Sequence, residues 1–368
     1  MDITQLHEII HHFQFQGIIS DVKPLGDGLI NDTYQVVTKE DHTPDYVLQR
    51  INHSIFQDVD LLQHNIEIVT RHIRKKLLEN GETDDIDRKV LQFIPTTAND
   101  GKTYYLDEQQ NSYWRMSVFI PRSRTYNAIT PTYAYEAGAA FGQFEEMLVD
   151  VAEPLGEPIP DFHNMELRVR QLSEAVANDP VGRVKEVHQE LEFVQQYKTE
   201  MCQAESLYRE GKLPKRICHC DTKINNMLFD EEKGTVLCVI DLDTVMSSFI
   251  FSDYGDFLRT AANTMVEDSP EYKQIQFRHD IFEAFTKGYL SITKKFLTPL
   301  EIEMLPFAVA LFPFMQAVRF LTDYINGDPY YKILYPQHNL VRTRNQIQFF
   351  KCILSQKDYM KDFIKTCY

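Results

Sequence analysis

The 368-residue sequence has no paired cysteine spacing, no excess of basic charge and no long uninterrupted apolar run. Its six cysteines fit neither a disulfide framework nor a CxxC metal pair. We therefore expect free thiols in a reducing, cytoplasmic compartment. The formal net charge of −16 argues against nucleic acid as a partner, because binding to phosphate backbones needs a basic surface.

The sequence also gives no sign of a leader peptide or a membrane span. The N-terminal segment carries Asp2 and Glu8 where a leader would have a basic region followed by an apolar one. The longest apolar stretch, Leu305–Leu321, contains two prolines, a glutamine and an arginine. It is shorter than the roughly 20 apolar residues that span a bilayer. We expect a buried core helix there, no membrane partner, and no protein partner.

Hydrophobic periodicity changes along the chain. Up to about residue 120 the pattern is typical of strands, with one long helix between Val59 and Leu77. The predicted strands are Asp32–Lys39, Asp45–Asn52, Lys89–Ile94, Lys102–Asp107 and Ser112–Ile120. Beyond Pro121 the pattern is helical, except for a strand–turn–strand around Glu231–Gly234. These patterns predict an α+β fold with a small antiparallel lobe (1–120) and a larger, mainly helical lobe containing a β-hairpin (121–368).

The stretch "ICHCDTKINNMLFD" suggests two kinds of chemistry. Cys218, His219 and Cys220 could be metal ligands, but zinc needs about four ligands that converge on one point. Successive side chains of a strand point to opposite faces, so the histidine would face away from both cysteines. We interpret the cysteines as small core residues and rank a zinc protein last.

The second interpretation starts from His219, Asp221 and Asn226, which have the H-x-D-x-x-x-x-N spacing of kinase-type phosphoryl transfer. In that pattern the aspartate accepts the proton of the acceptor hydroxyl, and the asparagine binds Mg²⁺. The histidine holds the loop in place. Asp241 follows an apolar strand 20 residues after Asp221, where a kinase carries a second Mg²⁺ ligand. Asp243 is interpreted as a turn residue.

Three neighbouring residues complete the predicted site. Lys223 either neutralises charge on the transferred phosphoryl group or is an exposed lysine. Asp256 is expected to accept hydrogen bonds from the backbone of the catalytic loop. Asp253 does the same or caps the next helix. We favour Asp256 for the structural role.

The first lobe should bind the nucleotide. Gly26 and Gly28 would let backbone N–H groups approach phosphates, although a plain hairpin turn fits equally well. Gln49 occupies the position of the usual kinase lysine, with Arg50 beside it. Which of the two meets phosphate stays open at this point. Glu67, in the middle of the long helix, is interpreted as solvated.

The segments "HCDTKINNMLFD", "VIDLDTV" and "DYGDFLRTAAN" resemble the aminoglycoside phosphotransferase-like, choline-kinase-like branch of the protein-kinase fold. Further segments resemble its N-acetylhexosamine 1-kinase subgroup: "YVLQRIN", "WRMSVFIP", "PDFHNMELR" and "RFLTDYINGDPYYK". The resemblance implies a two-lobed kinase-like fold. It also implies phosphorylation of the anomeric hydroxyl of N-acetylglucosamine or N-acetylgalactosamine with ATP and Mg²⁺.

The same resemblance implies roles for individual residues. Arg319 and Tyr330 would contact the sugar, and the backbone at Val118 and Ile120 would bind adenine. From the sequence alone, Arg319 is a charge that interrupts an apolar helix, and we expect it to be paired. Two alternatives stay open. One is a kinase of the same fold that acts on an aminoglycoside, choline or homoserine. The other is a nucleotide-binding module without catalytic activity.

Overall fold

The computed structural model describes residues 2–25 and 32–368, which form two compact units. The first unit contains Met1–Arg124, Asp150–Pro160 and Leu228–Met246. The second contains Thr125–Val149, Asp161–Met227 and Ser247–Tyr368. The chain therefore passes between the units several times, whereas the sequence suggested one border near residue 120.

The first unit is built on a five-stranded antiparallel sheet with the order β1-β2-β3-β5-β4. Its strands are β1 (Ile19–Pro24), β2 (Asp32–Thr38), β3 (Tyr46–Ile51), β4 (Tyr104–Asp107) and β5 (Ser112–Val118). Leu48, Trp114 and Met116 pack with the helix α1 (Ile3–Ile10) in one apolar cluster. Because strand side chains alternate, Gln49 and Arg115 lie on the opposite face of the sheet.

The predicted strand Lys89–Ile94 is wrong. Only Gln92–Ile94 runs beside the sheet, through the bonds Ile94 N–H to Met116 O (2.8 Å) and Val118 N–H to Gln92 O (2.9 Å). The reason is competition for one edge of β5. β4 pairs with Ser112–Arg115, and this leaves only the last three residues of β5 for another segment.

The long helix α2 spans Val59–Glu79, as the apolar spacing predicts. The side chain of Asp58 caps its first turn by accepting a hydrogen bond from Leu61 N–H (2.9 Å). Asn65, fully buried in α2, donates to the carbonyls of Gly156 (2.9 Å) and Val245 (3.0 Å). These bonds join the two later segments of the first unit to the helix.

The predicted hairpin consists of β8 (Met227–Asp230) and β9 (Val236–Val239), with Gly234 in a left-handed conformation at the turn. β8 also pairs with the short strand β6 (Ser123–Arg124). Sequence order suggested that the hairpin belongs to the helical lobe. Its contacts place residues 228–246 in the first unit.

The second unit is mainly helical, with one two-stranded sheet formed by β7 (Arg216–Cys218) and β10 (Met246–Ser248). Its helices are α3 (Pro131–Leu148), α4 (Met165–Asn178), α5 (His188–Met201), α6 (Gln203–Arg209), α7 (Phe251–Ala261), α8 (His279–Thr293), α9 (Pro299–Glu303), α10 (Leu305–Ile325), α11 (His338–Leu354) and α12 (Lys357–Lys365). α10 is long and apolar enough to cross a membrane by composition, but 83% of its apolar window is buried within the protein. This burial fits the predicted core helix.

A close backbone approach positions α7, which carries the acidic residues of the site. A Cβ atom at Gly255 would lie 2.4 Å from the carbonyl oxygen of Ala308 in α10. Only glycine fits this contact, so α7 lies directly on the central helix.

Candidate active site

The loop between β7 and β8 is held by Asp253, which is fully buried near the start of α7. The two carboxylate oxygens of Asp253 accept the N–H groups of His219 (2.8 Å) and Cys220 (2.7 Å). Cys220 has a left-handed backbone, with φ of 65°. Charge-assisted bonds of this kind offset the cost of such a conformation. The hydroxyl of Thr222 donates to the Asp253 carbonyl (2.8 Å) and extends the contact.

The sequence favoured Asp256 for the support of this loop, but Asp256 accepts fewer and longer hydrogen bonds from the loop than Asp253 does. The carboxylate of Asp256 accepts one longer bond, from Thr222 N–H (3.3 Å), and pairs with Arg259 (3.1 Å). The preference for Asp256 therefore missed the stronger contribution of Asp253. On a helix that begins at Phe251, Asp253 lies in the first turn, nearest the loop.

His219 is buried between the edges of Phe141 and Phe144, with ring centroids 5.8 and 5.9 Å away. Its Nδ1 accepts a hydrogen bond from Asp221 N–H (3.3 Å). This is the bracing geometry that the sequence predicts for the histidine.

Cys218, His219 and Cys220 do not form a common cluster of metal ligands among the described residues. Cys218 lies instead near two acids. Among the described residues, the one group of potential ligand atoms within 4.8 Å of one another is Glu145, Cys218 and Asp253. Burial raises the pKa of all three side chains. Glu145 and Cys218, whose pKa values rise most, are therefore biased toward neutral forms, which are poor metal ligands, while both oxygens of Asp253 are already used by the loop N–H groups.

Asp221, the predicted base, is in contact with two other predicted site residues. Its Oδ1 pairs with Lys223 Nζ (2.8 Å), and its Oδ2 accepts from Asn226 Nδ2 (3.2 Å). The same Nδ2 donates to the Asp221 carbonyl (2.8 Å). Lys223 is 45% exposed and paired with Asp221, so it is more than a free exposed lysine, and its contact with the phosphoryl group stays a prediction. Although burial lowers its pKa, the charge of Asp221 and the hydrogen bond to it produce a net rise.

A cluster of cations and aromatic rings lies close enough to influence this loop. Burial, followed by the charges of Arg319 and Arg168, lowers the pKa of His163 well below its usual value, and Asp221 opposes the shift. Burial and the charge of Arg319 also lower the pKa of Arg168, to about 10. The guanidinium of Arg319 lies 5.5 Å from the ring centroid of Phe162. His163 and Arg168 belong to "PDFHNMELR", where sequence reasoning assigned no individual role.

Contrary to the prediction from the sequence, Arg319 forms no ion pair with any residue that the structure describes. Within the described parts of the chain, its hydrogen bond goes to Gln316 (2.9 Å), and no carboxylate lies within salt-bridge distance. Its second ring contact is Tyr331, at 5.7 Å. Tyr330, which the resemblance places on the sugar, is 62% exposed and packs edge-on against Tyr331.

The first unit carries the remaining predicted residues. Asp241 is exposed at the end of β9, in a left-handed conformation with φ of 59°. Asp243 is not a simple turn residue: it is buried and forms an ion pair with the buried Arg115 (2.6 Å). The sequence contains no local sign of this pair, because its partners are far apart in the chain.

The two candidates for phosphate contact on β3 differ in environment. Gln49 accepts a hydrogen bond from Arg115 Nε (3.1 Å). Arg50 forms a partly exposed pair with Asp32 (3.5 Å). The predicted glycines, Gly26 and Gly28, lie outside the described residues.

The hinge, the segment 118–120 whose backbone the resemblance implies for adenine binding, uses most of its amide groups for bonds within the protein. The N–H of Val118 donates to Gln92 O, and that of Phe119 donates to Asp45 O. The Ile120 carbonyl accepts from the hydroxyl of Ser123 (2.6 Å).

A model of the phosphotransferase enzyme family APH matches residues 21–290, and the chain belongs to this family of small-molecule kinases. Solved structures of similar fold include an amicoumacin kinase in complex with AMP-PNP, Ca²⁺ and Ami, with 15% identity and a TM-score of 0.59 over 95% of this chain and 93% of that one. An aminoglycoside phosphotransferase from Alicyclobacillus acidocaldarius is 12% identical, with a TM-score of 0.61 over 98% and 96% of the two chains. A choline kinase from Streptococcus pneumoniae is 13% identical, with a TM-score of 0.54 over 95% and 98%. At these identities the likeness establishes the kinase-like fold predicted from the sequence.

Proposed function

We propose that the chain is an ATP- and Mg²⁺-dependent kinase that phosphorylates the anomeric hydroxyl of an N-acetylhexosamine, such as N-acetylglucosamine or N-acetylgalactosamine. Family membership supports the phosphoryl transfer, and the braced loop around Asp221 supports catalysis rather than binding alone. The resemblance of four sequence segments to the N-acetylhexosamine 1-kinase subgroup supports the acceptor.

One observation favours this acceptor over a cationic one. Arg168 and Arg319 act on each other and on His163, and neither forms a salt bridge within the described residues. An aminoglycoside or choline would bring a further positive charge toward them. A neutral sugar instead offers hydroxyl and acetamide oxygens to the guanidinium donors, and an apolar ring face to aromatic side chains such as Tyr331.

In the proposed reaction, the anomeric oxygen attacks the γ-phosphorus of ATP. The bond between the γ-phosphorus and the oxygen that links it to the β-phosphate breaks. The proton of the hydroxyl passes to the Asp221 carboxylate, and ADP leaves with the electron pair. Asn226 and Lys223 orient the carboxylate through its two oxygens. An anomeric hydroxyl is more acidic than an ordinary alcohol, so a carboxylate suffices as the base.

Asn226 and Asp241 are the proposed Mg²⁺ ligands. The donor set fits, because Mg²⁺ prefers oxygen ligands and Asp241 is an exposed carboxylate. Asn226 uses its Nδ2 for the contacts with Asp221, so the amide oxygen is directed away from them. These two residues would hold the metal, whose positive charge would offset that of the phosphate groups. For adenine, the hinge at Val118 and Ile120 is the proposed contact. Ile120 N–H is the candidate donor, because Val118 N–H is already bonded.

The variant Asp221→Asn tests the base. It keeps the shape of the side chain but cannot take the proton, so we expect kcat to fall by about 10²- to 10⁴-fold. Binding of ATP, measured by calorimetry, should change little. Asp362→Asn is the matched control, because Asp362 is an exposed carboxylate in α12 paired with Lys365. Full activity of Asp221→Asn would rule out the base assignment.

A panel of acceptors, followed by ADP release, tests the substrate. We expect turnover with N-acetylhexosamines and little with choline, homoserine or an aminoglycoside. Phosphorus NMR of the product from N-acetylglucosamine distinguishes a 1-phosphate from a 6-phosphate. Turnover only with a cationic alcohol would support the alternative kinase, and absence of Mg²⁺-dependent ATP turnover with any acceptor would support an inactive binding module.

A further inference from the structure

Arg115 lies directly beside the β3 position where kinases of this fold carry a lysine. Gln49 and Arg115 are paired residues of neighbouring strands, and both lie on the sheet face opposite the apolar cluster. Arg115 Nε donates to Gln49 Oε1 (3.1 Å). A guanidinium therefore lies next to the side chain that replaces the lysine.

The hydrogen bonds of Arg115 are incomplete. The residue is 2% exposed, and its Nη2 pairs with Asp243. Its Nη1 is buried without a hydrogen-bond partner among the described residues, and the guanidinium lies 5.6 Å from the ring centroid of Phe93. Leaving a buried charged donor unpaired costs about 1–3 kcal/mol or more. A buried unpaired donor in a folded protein calls for an explanation, and binding of an anionic ligand would provide one for this rigidly held cation.

Arg88, a second buried arginine of the first unit, provides a comparison, because its hydrogen bonds are those of a structural arginine. Arg88 donates from Nε to Pro121 O (3.1 Å), from Nη1 to Asp85 (3.3 Å), and from Nη2 to Arg122 O (2.9 Å) and Asp230 (3.1 Å). All of its nitrogens are satisfied. Both arginines are buried, with Arg88 7% and Arg115 2% exposed, and each pairs with a buried aspartate of residues 228–246, so the unpaired nitrogen distinguishes Arg115 from Arg88.

The partner of Arg115 connects it to the proposed metal ligand. Asp243 follows Asp241 by two residues, and Asn65 holds the next turn through Val245 O. In protein kinases, a glutamate of the long helix pairs with the β3 lysine. Here Glu67 of α2 is hydrogen-bonded to Thr103 instead. The acid that orients the cation therefore comes from the segment that carries Asp241.

We propose that Arg115, oriented by Gln49 and Asp243, binds the phosphates of the nucleotide in place of the β3 lysine. This assignment rests on the proposed kinase function. Under this assignment, the ion pair between Arg115 and Asp243 couples phosphate binding to the position of Asp241.

The test compares the affinities of ATP, ADP and adenosine by calorimetry in the presence of Mg²⁺. The double variant Arg115→Met/Asp243→Asn removes the cation without leaving an unpaired carboxylate. We expect it to bind ATP and ADP about 10- to 100-fold more weakly, the loss of one charge-assisted contact, while adenosine binds as before. The matched control, Arg88→Met/Asp230→Asn, should lower thermal stability but keep the preference for ATP over adenosine.

A third variant separates charge from packing. Gln49→Lys, added to the double variant, places an ammonium at the usual position and should restore part of the preference for ATP. If the double variant does not fold, Arg115→Lys and Arg115→Gln replace it, and only the lysine form should prefer ATP. An unchanged preference in a folded double variant or in Arg115→Gln would overturn the inference alone. Failure of the wild-type chain to bind any adenine nucleotide would refute the proposed kinase function itself.

Discussion

Asp253 and Asp323 provide a matched pair for testing which part of the second unit supports catalysis and which part supports binding of the acceptor. The carboxylate of Asp253 accepts the N–H groups of His219 and Cys220. The carboxylate of Asp323 accepts those of Tyr330 (2.9 Å) and Tyr331 (3.0 Å) in the same way. In each case, replacement by asparagine preserves the shape but turns an NH₂ group toward a backbone N–H that needs an acceptor.

The local cost should be similar at the two positions. Each substitution removes one charge-assisted hydrogen bond and leaves a buried N–H unpaired, which together cost about 3 kcal/mol. Both carboxylates are buried, Asp253 fully and Asp323 with 5% exposure. The kinetic consequences should differ, because a displacement of the reacting group by about 1 Å can cost 10²-fold in rate.

We therefore expect Asp253→Asn to lower kcat by about 100-fold with a small change in acceptor KM. Asp323→Asn should instead raise the acceptor KM and leave kcat close to wild type. Steady-state kinetics with the preferred acceptor, together with thermal unfolding of both variants, measures the two effects. Normal kcat in a destabilised Asp253→Asn variant would refute the idea that this carboxylate positions the catalytic loop. A loss of kcat without a change in KM in Asp323→Asn would refute the acceptor role of the Tyr330 segment.

Three further predictions follow from the second unit. Burial raises the pKa of Glu145 well above its ordinary value of 4.5. The native form therefore keeps a proton that the unfolded chain releases, and the free energy of unfolding falls as the pH rises from 4.5 toward the native pKa. Glu145→Gln should remove this slope, which is at most about 1.4 kcal/mol per pH unit, as urea unfolding at two pH values would reveal. Lys223→Met should lower kcat more than the affinity for ATP if the lysine acts in the transition state, and equal loss in both would indicate ground-state binding. Arg319→Gln should raise the KM of a sugar acceptor, while a fall in KM for choline would support repulsion of cations by Arg319.

Sequence patterns predict those parts of the fold that depend on neighbouring residues. The strands β2, β3 and β5 and the helix α2 lie where alternation and helical spacing indicate. The loop that carries Asp221 also lies where its motif indicates, between two short strands, while the catalytic roles of its residues stay a prediction. The segment Lys89–Ile94 has a strand-like composition, but β4 occupies most of the edge where it would pair. Competition between distant segments for one edge leaves no trace in a local pattern.

Side-chain roles in the site are less predictable for the same reason. Asp253 and Asp256 are three residues apart on one helix, and only the orientation of α7 shows which one accepts the loop amides. Asp243 reads as a turn residue because its partner, Arg115, is more than a hundred residues away in the sequence. A buried ion pair needs both partners in place, since one alone would be a costly unpaired charge.

The acceptor illustrates how global and local charge can point in different directions. A net charge of −16 keeps a cationic substrate in consideration, because an acidic protein attracts cations at long range. Screening limits that attraction to about 8–10 Å at physiological salt, whereas side chains act on a bound substrate at a few ångströms. Around His163, the charges of Arg319, Arg168 and Arg259 lower the pKa of the imidazole and Asp221 opposes them. Arg259 is already paired with Asp256 and Glu267, which leaves Arg319 and Arg168 as the cations without a salt bridge among the described residues. Because nearby charges act on a bound substrate more strongly than the total charge, we expect a neutral, oxygen-rich acceptor, in line with the proposed function.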